Sequence, residues 1–168
     1  MSTMAPSPLR IEARADPAAP ASDRVRMTFA ERTRARLLVR LDSGVEAALA
    51  LPRGAALRTG DRLLASDGRI VEVVAASEPL LQVAVTDAAS LARAAYHLGN
   101  RHVAVELGDS TLRLARDAVL ERLLRGLGLA PVPVDAPFEP EGGAYGQAHS
   151  HLGDTSRLTP VIHEYRRT

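Results

Sequence analysis

The chain has 168 residues, 46% of them apolar, which suits one ordinary domain or two small ones with packed cores. It carries 21 basic and 20 acidic residues, two Phe, three Tyr and no Trp, which argues against a dedicated nucleic-acid binder with a basic surface and stacking rings. Cysteine and lysine are absent. That excludes disulfides, thiolate metal sites, a cysteine nucleophile, a Schiff-base lysine and a phosphate-loop lysine.

Leu9, Ile11 and their neighbours to Arg14 form a candidate strand, followed by Ala15-Asp16-Pro17-Ala18-Ala19-Pro20-Ala21-Ser22, a linker or surface loop. Over 34–74 the pattern is β. Leu37, Val39 and Leu41 alternate, Asp42-Ser43-Gly44 turns the chain, and Val45, Ala47, Leu49 and Leu51 resume the alternation. Gly60-Asp61 and Asp67-Gly68 flank two more apolar runs, so a small barrel or sandwich is expected. Ser77-Glu78-Pro79 marks a boundary. Beyond it comes a strand over 81–85, then a helix capped at Thr86-Asp87, with Ala88, Leu91, Ala95 and Leu98 on one face and a stop at Gly99-Asn100. Val103, Val105 and Leu107 alternate as a strand, and Leu112 and Leu114 begin another. Asp117 caps a second helix carrying Leu120, Leu123, Leu124 and Leu127. Val132 and Val134 make a last short strand, at an edge because Pro131 and Pro133 cannot donate to a ladder.

The expected fold is therefore α+β. An N-terminal all-β domain, 1–77, precedes a ferredoxin-like βαββαβ domain, 78–140, and a flexible tail, 141–168. No apolar run is long enough to span a bilayer, and residues 1–16 lack the apolar stretch of a secretory signal. A cytoplasmic location without membrane contact is expected.

The five histidines carry the chemistry, because neutral imidazole is a ligand for nickel, copper and zinc. His97 falls in the last helical turn. His102 lies five residues on, which a continuing helix would rotate by about 140°, so the two do not converge on one ion. His149 and His151 form an H-x-H pair whose rings share a side in an extended chain, and His163 lies beyond Pro160. The H-E-x-x-H, G-x-S-x-G, G-x-G-x-x-G and G-x-x-x-x-G-K-[ST] patterns are all absent. From the residues alone, His102 reads as an ordinary sheet-end histidine or as a ligand.

Tyr96-His97-Leu98-Gly99-Asn100-Arg101-His102 and Pro137-Phe138-Glu139-Pro140-Glu141-Gly142-Gly143-Ala144-Tyr145 resemble, in order and separation, the signatures of the urease accessory protein UreE family, nickel metallochaperones. The first half agrees. The stretch 32–36, Leu51-Pro52-Arg53-Gly54, Gly60-Asp61 and Asp67-Gly68 resemble the family's N-terminal domain. The resemblance implies that the N-terminal β domain binds protein partners or peptides, and that the protein is a non-enzymatic homodimer joined through its C-terminal domains. It makes His102 the principal ligand, shared with its symmetry mate, with His149, His151 and His163 as tail ligands for Ni²⁺; Zn²⁺ or Cu²⁺ can take the same site. His97, Gly99 and Asn100 become structural residues beside the site. The implied partners are the urease GTPase accessory protein and the apo-urease activation complex. The tail is poorer in histidine than in many members, and 113–118 lacks the extra histidines that some carry, so a secondary metal site is not expected. Two other readings stay open: an adaptor of that complex with vestigial metal binding, and an enzyme using His102 as a general base, for which no carboxylate partner stands at a recognisable spacing.

Overall fold

The computed structural model describes residues 9–54 and 56–142. His149, His151, His163 and the tail from residue 143 onward lie outside the described residues.

The N-terminal strands are β1 (Leu9–Arg14), β2 (Asp23–Met27), β3 (Arg36–Arg40), β4 (Glu46–Ala50), β5 (Arg62–Ala65) and β6 (Ile70–Ala75). They form one sheet in the order β2-β6-β5-β1-β4-β3, with β1–β4 and β2–β6 parallel and the other pairs antiparallel. A bridge between Val25 and Leu41 joins the two outer strands, giving an all-β near-barrel. Alternation fills the interior: Ile11, Val25, Met27, Ala47, Leu49, Leu63, Val71 and Val73 are buried, and their sequence neighbours face outward. The turns at Asp42-Ser43-Gly44 and Asp67-Gly68 reverse the chain as their sequence indicates. The 15–22 stretch is a surface loop rather than a free linker: Ala15 N–H donates to Arg62 O, Ser22 N–H donates to Ile70 O, and Ala19 O accepts from Arg62 Nε.

A short helix, α1 (Phe29–Arg32), interrupts the β pattern. It is not foreseen by alternation, but its signal is in the sequence. Thr28 and Glu31 form a capping box, each side chain satisfying the other residue's backbone N–H.

The second half runs β7 (Ser77–Ala84), α2 (Ala88–Gly99), β8 (Glu106–Leu107), β9 (Thr111–Ala115), α3 (Ala118–Gly126) and β10 (Val132–Pro137). Its sheet is wholly antiparallel in the order β10-β7-β9-β8. β10 is an edge strand, as its prolines require. Pro79 is tolerated inside the central strand β7 because β9 pairs only with residues 80–84. Two details differ from the sequence reading. The buried residues of α2 are Ala94 and Leu98, with Leu91 half-buried, whereas Ala88 and Ala95 are exposed. β8 is only two residues long, because 100–105 is taken up by the exit from α2. The core joins Leu81, Val83, Leu112 and Leu114 of the sheet to Ala94, Leu98 and Leu124 of the helices.

Candidate metal centre

Asp87 starts α2 by accepting the Ser90 N–H. At the other end Asn100 N–H donates to Tyr96 O, and two reverse bonds follow: His102 N–H to Gly99 O (2.9 Å) and Val103 N–H to Leu98 O (3.2 Å). This paired arrangement is a Schellman motif, closed by apolar contact of Val103 and Leu98 within the same core. It forces the residue between into the left-handed region, and that residue is His102, at φ 55. Among the described residues no other non-glycine has positive φ.

α3 ends in the same way. Gly128 N–H donates to Arg125 O, Leu129 N–H donates to Leu124 O, and Gly128 takes the left-handed position at φ 81. α2 ends at Gly99 with Asn100 as its C-cap, where the sequence places the stop, and His102 takes the left-handed position that closes the motif. Outside α2's own backbone, a Cβ on Gly99 would meet no atom of the described residues within 4 Å.

His102 is exposed and its imidazole has no partner among the described residues. His97 is half-buried, its ring edge-on to exposed Tyr96 at 5.4 Å, and its carbonyl accepts from Arg101. Within the described residues no group of three or more His, Cys, Asp or Glu could hold a metal ion.

The second signature segment, 138–142, runs between the two domains. Phe138 is buried edge-on against Phe29 of α1 at 5.6 Å. Arg32, with a side chain only 1% exposed, donates to Leu57 O, to Phe138 O and to Glu139 Oε1. Glu139 also accepts from the Thr59 N–H and hydroxyl. Burial raises its carboxyl pKa, but the Thr59 hydrogen bonds and the Arg32 charge outweigh burial and leave it below the ordinary glutamate value. The same segment reaches the His102 loop: Glu141 N–H donates to Val105 O at 2.8 Å, and Glu139 N–H donates to Glu106. The root of the tail is thus bonded on one side to the near-barrel and on the other to the chain three residues beyond His102. The roles of Arg32 and Glu139 were not legible in the sequence, where the two stand 107 residues apart.

Residues 9–76 match the family model of the UreE urease accessory protein N-terminal domain, and residues 78–165 match that of its C-terminal domain. Curated proteins called urease accessory protein UreE are similar over most of the chain. The one from Cupriavidus pinatubonensis is 54% identical over 83% of this chain and 66% of its own length. That from Cupriavidus necator is 53% identical over 83% of this chain and 76% of its own length. That from Burkholderia ambifaria is 48% identical over 77% of this chain and 64% of its own length. No described helix is long and apolar enough to cross a membrane. Two matched domains in the same order as the near-barrel and the α+β half, with both signature segments in place, make this chain a member of the UreE family of urease accessory proteins.

Proposed function

We propose that this protein carries Ni²⁺ to the urease active site as a cytoplasmic homodimer, with one ion held between two His102 side chains. The domains are 1–77, 78–140 and a tail 141–168. The α+β half is ferredoxin-like, in keeping with its βαββαβ order and the strand order β10-β7-β9-β8. The observation that carries the reading is His102 itself, an exposed imidazole without a partner among the described residues, held by its backbone in a conformation that favours glycine.

One chain's described residues bring no further ligands to His102, so the reading requires a second copy on a two-fold axis and imidazoles from the tail. Gly99 supports such an approach. Its small size meets no steric need among the described residues of one chain, and it adjoins exposed Tyr96 at the end of α2. Two His102 rings alone hold nickel loosely. His149, His151 and His163 complete the shell and leave it at handover to the urease GTPase accessory protein and the apo-urease complex. Nickel is cargo here, and the protein catalyses no reaction. Zn²⁺ or Cu²⁺ compete for the same imidazoles.

X-ray absorption of the nickel-loaded chain tests this reading. Imidazole ligands are expected, fewer of them after truncation beyond Gly146, with the dimer intact. A shell of carboxylate oxygens alone would contradict the reading, and failure to load nickel would leave the adaptor role.

A further inference from the structure

β10 and β8 are opposite edges of the second sheet, so a chain leaving β10 at Pro137 starts three strand spacings, about 14 Å, from the edge that the His102 loop leads into. The 138–142 segment closes that gap. Glu141 N–H donates to Val105 O at 2.8 Å, and Glu139 N–H donates to Glu106 Oε2 at 2.7 Å. The carrier role uses histidines beyond this segment and gives Glu106 no part.

Glu106 is itself held from the sheet side. Gln82, Arg113 and Glu106 are paired across β7, β9 and β8, and alternation with Leu81, Val83, Leu112 and Leu114 turns Gln82 and Arg113 away from both helices. Arg113 Nε donates to Gln82 Oε1 at 2.8 Å, and its Nη1 donates to Glu106 Oε1 at 2.9 Å. One carboxylate oxygen is spent on the arginine and the other takes a backbone N–H, a charge-assisted bond stronger than one to a neutral acceptor. A valine would serve the β8–β9 pairing as well but would hold neither donor.

We propose that Glu106 is a positioning residue: with Val105 O, it fixes the root of the tail beside His102. Val105 is three residues from His102, within about 10 Å along the chain, and His149 follows Glu141 by eight residues, a reach of up to about 28 Å. Anchored at Val105, the chain reaches the His102 imidazole with length to spare. Released at Pro137, it must first recross the sheet. A tether that starts closer raises the effective concentration of whatever the tail carries. That the tail carries nickel ligands rests on the delivery reading; the anchor does not.

The chain has no cysteine, so Ser150→Cys gives a single site for a nitroxide label between His149 and His151. In the metal-free full chain the label should broaden the amide signals of residues 101–106 by paramagnetic relaxation. Glu106→Ala should reduce that enhancement about twofold or more. Glu106→Gln, which offers one oxygen to two donors, should give a smaller loss and carries the test if Glu106→Ala does not fold. Arg125→Ala, which breaks the surface pair with Glu121, should leave the enhancement unchanged. Nickel affinity separates positioning from support of the fold. Glu106→Ala should weaken it about threefold or more in the full chain, but less than about 1.5-fold after truncation beyond Gly146. An enhancement that no folded Glu106 variant changes, or equal nickel losses with and without the tail, would overturn the proposal. Truncation that leaves wild-type nickel affinity intact, beside a label effect that responds to Glu106→Ala, would sink the tail's part in delivery and leave the anchor standing.

Discussion

Two segments meet at the root of the tail, and they are built in opposite ways. Residues 138–142 are held by side chains: Phe138 is buried against Phe29, Glu139 is held by Arg32 and Thr59, and backbone bonds run to both domains. The 100–105 segment has no such ion pair: backbone bonds, the Arg101 bond to His97 O and the packing of Val103 and Val105 hold it, and its histidine stays exposed, left-handed and unpartnered among the described residues. The first arrangement fixes the relation of the domains, and the second leaves one imidazole available. The two helix ends sharpen the contrast. Where α3 uses Gly128, α2 uses His102 in the same motif, so the chain tolerates a local cost at the residue the carrier reading needs.

The largest effect should come from breaking the side-chain-held segment. Arg32→Met keeps the buried stem but removes the guanidinium, leaving Leu57 O and Phe138 O without their donor. Denaturant unfolding should show a loss of about 2–4 kcal/mol, moderated by the partial exposure of Glu139. An unchanged midpoint would mean that the domains do not depend on this contact. Next is Gly128→Ala, which places a Cβ at positive φ and should cost about 1–2 kcal/mol in the same measurement. The reverse exchange, His102→Gly, should raise stability by about 0.5–1 kcal/mol; a loss instead would show that the imidazole supports the fold.

The smallest effect concerns acid. The carboxyl of Glu139 has a folded pKa below its unfolded value, so its contribution is fully present above the unfolded value and is lost as pH falls through the folded one. Glu139→Gln should therefore lose less stability on acidification than the wild type. Parallel pH curves would contradict that.

Much of the architecture was legible. Period-two runs and Gly-containing turns announced the β half, and Asp87 and Asp117 cap the helices that their positions indicated. What was not legible depended on distant pairing or on backbone hand. Alternation cannot reveal that Arg32 meets Glu139. Nor can a Gly99-Asn100 stop signal show that the left-handed position falls on His102, since no rule based on glycine places a histidine there. The tail histidines lie outside the described residues, so their part in the site rests on the family resemblance.

In the proposed carrier, two copies share one nickel ion through His102. Isothermal titration with nickel, paired with sedimentation to fix the oligomer, tests it on the wild type and on His102→Gly. One tight ion per two chains is expected in the wild type. His102→Gly should lose that site, with dimer and fold retained. One tight ion per chain, unaffected by the substitution, would contradict it.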